Sequence, residues 1–148
     1  MKKSSVLVFA LFVMLISCAP TLACVCDLPM KRVSLKTAVS KAKADAGVVF
    51  SGKVIEIGEA TIKFSVEGSW KGAPAQEIIM PNSASGSIVS DCAYRFELGE
   101  KYLVYASGSG TRLDTNKCSR TTVLGNAGAD VEVLEKMKAK ESKKKLRS

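Results

Sequence analysis

Cysteine placement limits what this chain can fold into more than any other feature. Cys24 and Cys26 are separated by one residue, while Cys92 and Cys118 stand far along the chain. A bond between the first two would close a tight, strained ring. If the chain is exported, the four cysteines from Cys24 onward predict two disulfides. Cys24 and Cys26 must then each pair with Cys92 or Cys118. The residues alone leave both pairings open.

The first 23 residues predict export. Lys2 and Lys3 precede an apolar run at 6–16 and then small residues, which is the pattern of a cleaved signal and is too short for a membrane-spanning helix. We therefore expect residues 1–23 to be a signal peptide and the protein to be extracellular, or periplasmic and in the cell envelope.

Two cleavage sites compete in this segment. The sequence Thr-Leu-Ala at 21–23 fits a signal peptidase and would leave Cys24 as the mature N-terminus. The sequence "LISC" at 15–18 resembles a bacterial lipobox, which would place a lipid on Cys18. Either cut leaves four cysteines without lipid, so the expectation of two disulfides holds for both.

The net charge of +8 is concentrated at the C-terminus. Residues 24–135 hold 13 basic and 13 acidic side chains, whereas 136–148 hold seven basic and one acidic. This basic tail could touch anionic lipid or polymer, although the simpler interpretation is the solvated end of a helix. No aromatic residue lies among its lysines, so we expect no nucleic-acid partner.

The residue types argue against catalysis and against a resident cofactor. The chain has no histidine, so it lacks the usual base for acyl transfer. One C-x-C and two isolated cysteines do not make the paired pattern of a zinc site, and there is no C-x-x-C for thioredoxin-like chemistry. We expect a protein that is not an enzyme and has no cofactor.

Hydrophobic patterning predicts a mainly β domain with flanking helices. Ser34 caps a short helix that ends near Gly47, and a second helix starts near Asp130. Between them we expect a hairpin turning at Gly58, a third strand at 76–81, a fourth at 101–107 and, after a turn at 107–113, a shorter fifth strand. Five strands suit a small closed barrel. One domain would span residues 24–135, followed by the helical tail 136–148.

Several segments, in this order, resemble the netrin-like superfamily, and most closely bacterial proteins similar to tissue inhibitors of metalloproteinases. They are "CVC", "ADAGVVFSGKVI", "VEGSWKG", "CAYRFELGEKYLVYA" and "LDTNKCSRT". The resemblance implies an OB-type, five-stranded closed barrel with flanking helices. It also implies the pairing Cys24–Cys92 and Cys26–Cys118.

The same resemblance implies a function for the N-terminus. In the inhibitors, the α-amine and carbonyl of the first cysteine chelate the zinc of a protease. Carried over, this role falls on Cys24, with Val25 in the protease's specificity pocket and Cys26 beside it. The loop before Cys92 would widen this surface, which we call the contact ridge. The loop residues are Ile88, Val89, Ser90 and Asp91. We expect the protein to be a monomer, and its expected partner is a secreted zinc metalloprotease.

The alternative is a cell-envelope binding module that inhibits nothing. The chain lacks the third disulfide and the C-terminal domain of the animal inhibitors, reads "CAY" where C-G-Y is commoner, and puts the charge of Asp91 on the ridge. In this alternative the protein is a lipoprotein anchored through Cys18, and membrane contact arises from that lipid or from the basic tail.

Overall fold

A computed structural model shows a mainly β domain with two disulfides, as the sequence predicts. Five antiparallel strands form one sheet in the order β3-β2-β1-β4-β5, and two helices accompany it. The residues described are 24, 26, 33–72, 76–85, 91–110 and 112–147. The elements are α1 (Leu35–Asp45), β1 (Val48–Ile57), β2 (Thr61–Lys71), β3 (Glu77–Pro81), β4 (Lys101–Ala106), β5 (Thr122–Val123), a 3-10 turn (Leu124–Asn126) and α2 (Gly128–Lys145).

Helix α1 begins and ends where its caps predict. The Ser34 hydroxyl accepts a hydrogen bond from the backbone N–H of Thr37 at 3.2 Å. At the other end the Lys71 ammonium donates to the carbonyls of Lys43 and Ala44, at 2.9 and 2.8 Å. A cation suits this end because the helix dipole leaves the last carbonyls partially negative. Lys71 thereby fixes α1 to the end of β2.

The hairpin of β1 and β2 forms as predicted and is strongly irregular. Gly58 donates its N–H to the Thr61 carbonyl at 2.8 Å and closes the turn. The pairing register shifts at three points along the two strands. Such bulges bend a strand and increase its twist. A curved sheet of this kind can wrap around a core on its concave side.

The shorter fifth strand that we expect after the turn at 107–113 is present, but it does not follow the turn directly. Immediately after the turn the backbone makes only isolated bridges, Asp114 with Ser107 and Asn116 with Ala93. The fifth strand of the sheet, β5, lies later and has two residues. A strand of two residues has no measurable alternation, so hydrophobic patterning could not locate it.

Closure of the sheet into a barrel is not seen in the described residues. Strand β3 pairs only with β2, and β5 pairs only with β4, so these two strands are the edges of an open sheet. Pro81, at the end of β3, has no N–H to offer a further strand. The closed barrel therefore stays a prediction.

The two central strands are buried on both faces. In β1, Phe50 and Val54 point into a core that the curved sheet encloses, while Val49 points to the helices. In β4, Val104 lies in the first core and Leu103 in the second. Trp70 packs in the helix-side core and donates its Nε1–H to Glu135 at 2.7 Å.

Helix α2 covers the helix-side face and continues past residue 135 without a break. Leu134 is fully buried, and the residues after Met137 are all exposed through Arg147. The predicted boundary between domain and tail thus falls within one helix. In the part of the chain that the structure describes, no helix is both long and apolar enough to span a membrane.

Candidate functional site

Cys92 and Cys118 lie on neighbouring backbone segments. Ala93 and Asn116 form an antiparallel bridge, and the Lys117 N–H donates to the Cys92 carbonyl at 2.8 Å. We call these segments, 91–93 and 116–118, the platform. Because these segments are hydrogen-bonded to each other, the backbone also holds Cys92 and Cys118 near each other, in addition to the disulfides.

A side-chain turn fixes the orientation of Cys118. The Asn116 side-chain oxygen accepts from the backbone N–H groups of Cys118 and Ser119, at 2.9 and 3.1 Å. The Ser119 hydroxyl donates back to the Asn116 carbonyl at 2.8 Å. Asparagine favours such turns because its short amide substitutes for a backbone partner. The turn leaves Cys118 exposed at the surface.

Buried hydroxyl groups connect this turn to β4. The Thr115 hydroxyl donates to the Tyr105 carbonyl at 3.0 Å and lies 2.7 Å from the Thr121 hydroxyl oxygen. The Thr121 hydroxyl oxygen accepts from the Tyr105 N–H at 3.0 Å. Buried polar groups that are fully hydrogen-bonded add rigidity, since each loses its partner if the segment moves. The platform is therefore anchored to a central strand.

An ion pair anchors the same region to α2. Arg120 donates two hydrogen bonds to the Asp130 carboxylate, at 2.7 and 2.6 Å, and the Tyr105 hydroxyl donates to it at 3.2 Å. Asp130 lies in the first turn of α2, where the helix dipole favours an anion. Its hydrogen bond raises the pKa of Arg120, and burial, followed by the charge of Asp130, raises the pKa of the Tyr105 hydroxyl.

The N-terminal cysteines are tied to the platform by both disulfides. Cys24 is bonded to Cys92 and Cys26 to Cys118, with Cα–Cα distances of 5.0 and 5.3 Å. This is the pairing that the resemblance implies. We call Cys24 and Cys26 the N-terminal strap. The Cys24 and Cys118 sulfurs, which belong to different disulfides, lie only 3.6 Å apart.

The cluster of sulfurs is not a ready metal site. The sulfurs of Cys24, Cys26 and Cys118 lie within 4.8 Å of one another, as a thiolate site would require. Each of them is bonded to another sulfur, and a disulfide offers no thiolate to a metal. With its sulfur used in this way, Cys24 can present only backbone atoms to a partner.

Only part of the predicted contact ridge lies in the described residues. Cys24 and Cys26 are half-buried, and Asp91 is exposed beside Cys92 on the platform. The structure therefore brings together the cysteines and Asp91. The remaining ridge residues, Val25, Ile88, Val89 and Ser90, lie outside the described residues, as do residues 1–23, which include Cys18.

The sequence analysis missed the residues that hold the platform. Asn116, Thr115, Thr121 and the Arg120–Asp130 pair were not singled out, although "CSR" was quoted as part of a motif. An asparagine two residues before a cysteine is a usable local signal for such a turn. The ion pair has no local signal, because its partners lie ten residues apart across β5.

A groove with a volume of about 680 Å³ lies between the two helices and β2. Trp70 and Met137 line it, together with three lysines and Glu141. The ammonium groups already serve the fold: Lys43 pairs with Glu141 at 2.7 Å, Lys138 donates to the Ser69 carbonyl, and Lys71 caps α1. The groove carries no argument for a ligand.

Comparison with known proteins gives no assignment. No family model matches the chain, and no curated protein matches it.

Proposed function

We propose that the protein inhibits a secreted zinc metalloprotease by presenting the Cys24 α-amine and carbonyl to the protease zinc. The observation that carries the proposal is the Cys24–Cys92 disulfide on a platform fixed to β4 and α2. It consumes the Cys24 sulfur and leaves the backbone amine and carbonyl as the groups that can bind a metal. In this proposal residues 1–23 are a signal peptide and the N-terminus of Cys24 is free.

The chemistry of the two groups fits a catalytic zinc. Such a zinc keeps a position open for water or substrate and can expand to five ligands, so an amine nitrogen and a carbonyl oxygen can both bind it. The amine binds in its neutral form, and an α-amine has a pKa of about 8. Inhibition should therefore weaken as the pH falls below about 8, because the proton competes with the metal.

Rigid support of the strap favours tight binding. A flexible N-terminus would lose conformational entropy on entering a protease cleft, whereas a strap held by two disulfides has lost much of it on folding. Val25 would fill an apolar pocket next to the zinc, which contributes about 1.5 to 3 kcal/mol for a valine. Residues 88–91 would extend the contact beside Cys92.

We also propose that the sheet closes into an OB-type barrel. The strand order puts β3 and β5 at the two edges, so a single further pairing between them would complete the barrel. The bulged, twisted hairpin and the enclosed core favour such curvature.

The test compares the protein that starts at Cys24 with a version that carries one additional alanine in front. Both are assayed against a panel of secreted zinc proteases, after peptide mapping has shown the same disulfides in each. The added residue turns the amine into an amide, so inhibition should fall at least tenfold. A Val25→Ser variant should lose part of the inhibition, about tenfold, because a hydroxyl enters a dry pocket. Equal inhibition by the extended protein would refute the chelation.

The exposed charge of Asp91 favours a second candidate function, that of a cell-envelope binding module without inhibitory activity. This carboxylate is exposed next to Cys92, where an inhibitor would press on the edge of a protease cleft. Burying a charge there without a partner is costly. Inhibition by neither form, together with a lipid on Cys18 found by mass spectrometry, would favour this candidate.

A further inference from the structure

The C-terminal half of α2 carries a line of positive charge on its outer side. Lys136, Lys140, Lys143 and Arg147 are spaced by four, three and four residues, and all are exposed. At 3.6 residues per turn they fall within an arc of about 60° and span about 16 Å. The helical path reaches Arg147, because Leu146 is still αR and donates its N–H to the Ser142 carbonyl. We call these four residues the cationic ridge.

The ridge points away from the domain. The opposite side of α2 makes the contacts with the fold: Leu134 is fully buried, Ser40 donates to the Met137 sulfur, and Glu141 pairs with Lys43. These three side chains lie on one stripe of the helix, and the ridge lies on the other. The docking of α2 thus determines which of its side chains face outward.

Most of the charge on the ridge is uncompensated. Lys136 pairs with Glu132 one turn earlier. The acidic side chain nearest to the other three, Glu141, is engaged with Lys43 on the packed side. Among the described residues no ion pair involves Lys140, Lys143 or Arg147.

The shape and composition of the ridge favour a flat anionic partner. The outer face of a helix is convex and offers no cleft that would hold a nucleic-acid strand, and residues 128–148 contain no aromatic side chain on which a base could stack. Leu146, 88% exposed, lies beside the ridge at its tip. A lysine-rich helix face with an apolar residue at its margin is typical of helices that lie on a membrane surface.

We propose that the cationic ridge binds the surface of a bilayer that contains anionic phospholipid, with Leu146 entering the headgroup region. This interaction is independent of zinc chelation, since none of its residues belongs to the strap or the platform. It requires the helix to stay formed, because the helical spacing aligns the cations on one side.

The experiment measures vesicle binding of the processed protein, as isolated after expression, by co-sedimentation. Vesicles of phosphatidylcholine with phosphatidylglycerol are compared with phosphatidylcholine alone, at ionic strengths of about 0.01 and 0.15 M. The test variant is Lys140→Gln/Lys143→Gln, because glutamine keeps helix propensity. The control, Lys36→Gln/Lys53→Gln, removes the same charge from exposed lysines elsewhere. All three proteins share one N-terminus, so any binding that it contributes is common to them.

We expect preferential binding to the phosphatidylglycerol vesicles that weakens with salt. The ridge variant should bind about tenfold or more weakly, and the control should stay close to the parent protein. Circular dichroism must show the same helix content in all three. Equal loss in the two variants, or no preference for the anionic vesicles, would overturn the proposal. So would tighter binding to a short DNA duplex than to those vesicles, since the ridge would then be a nucleic-acid surface.

Discussion

At the scale of single residues, Asp130 connects three parts of the fold that are distant in sequence. It accepts from Arg120, which follows the disulfide-bonded Cys118, and from Tyr105 in β4. It also starts α2. With Arg120 paired, the carboxylate is compensated although it is only 6% exposed. The N-terminal strap is thereby linked, through Cys118, to both the sheet and a helix.

We expect the protein to lose stability in alkaline solution because of Tyr105. Its pKa is raised above the ordinary value of 10.0 by burial and by the charge of Asp130. A group whose pKa is raised on folding contributes stability below its unfolded pKa, and that stability is lost as the pH rises past it. The free energy of unfolding should therefore fall above pH 10, which urea titrations at increasing pH would measure.

The matched variant is Tyr105→Phe, which cannot ionise. It should be less stable by about 1 kcal/mol at neutral pH, having lost the hydrogen bond to Asp130. Its stability should decline less steeply above pH 10 than that of the parent protein. The pKa values of Tyr94 and Tyr102 are also raised by burial, so some decline should remain. Parallel curves for the two proteins would contradict the role of Tyr105.

At the scale of elements, α2 combines two surfaces in one helix. Its first half packs on the sheet through Leu134, and its second half extends beyond the core with exposed side chains. Contacts among the described residues reach past Met137: Lys138 donates to the Ser69 carbonyl, and Glu141 pairs with the buried Lys43. The docked part of the helix therefore ends near Glu141, six residues beyond the boundary that the sequence suggested.

Two truncations should locate this end of the docked helix. Removing the residues after Ser142 keeps Glu141 and should leave the melting temperature within a few degrees. Removing those after Met137 leaves Lys43 buried without its carboxylate and should cost about 1 kcal/mol, or roughly 3 to 6 °C. The cost is modest because Glu141 is 61% exposed. In the full chain, Glu141→Gln should reproduce most of it; equal melting temperatures for the two truncations would contradict the docking.

Those elements that rest on local signals could be predicted from the sequence. Ser34 begins α1, the alternation at 61–66 marks β2, and Gly58 turns the hairpin, because each signal lies within the element itself. Strand β5 has two residues and forms only by pairing with Tyr102 and Leu103, so nothing local predicts it. Edge pairing and helix docking likewise depend on distant partners.

The candidate site could likewise be predicted only in part from the sequence. The cysteines that make it up are visible in the sequence, and export chemistry predicts that they pair, but the residues leave two pairings open. The choice between them depends on the platform, where Lys117 bonds to Cys92 and Asn116 orients Cys118. These contacts form across the fold and leave no spacing rule in the sequence.

At the scale of the whole molecule, the sheet is a central layer with a core on each side. Phe50 and Val104 belong to the enclosed core, and Val49 and Leu103 to the core beneath the helices. The start of β1, 48–50, and most of β4, 102–106, therefore read as short continuous apolar runs, as strands buried on both faces do. The strap is tied to segments next to these strands, so its position depends on both cores.

The closeness of the two disulfides predicts an exchange reaction. In a Cys92→Ser variant the Cys24 thiol would lie 3.6 Å from the Cys118 sulfur. Its thiolate can attack that sulfur, form a Cys24–Cys118 bond and release the Cys26 thiolate, which then takes up a proton. Rapid alkylation and peptide mapping should therefore find both the Cys24–Cys118 and the Cys26–Cys118 bond.

The control is Cys118→Ser, which leaves a thiol on Cys26. Attack of the Cys26 thiolate on the Cys24 sulfur would close the strained ring between Cys24 and Cys26, whereas attack on the Cys92 sulfur would form Cys26–Cys92 and release the Cys24 thiolate. Peptide mapping of this variant should therefore find no Cys24–Cys26 bond. If the Cys92→Ser variant keeps only Cys26–Cys118 at equilibrium, the two sulfurs do not approach each other in solution as the structure places them.

The distances along the chain between bonded partners determine the order in which a growing chain can fold. Strands β1 and β2 are neighbours in sequence and can pair early. The central pairing of β1 with β4, which joins Val48 to Ala106, can form only after β4 has been synthesised. The disulfide that fixes Cys26 of the strap forms later still, since Cys26 and Cys118 are 92 residues apart. Contacts of such range form slowly because they close long loops. Of the described residues, those synthesised first are thus among the last to be fixed in place.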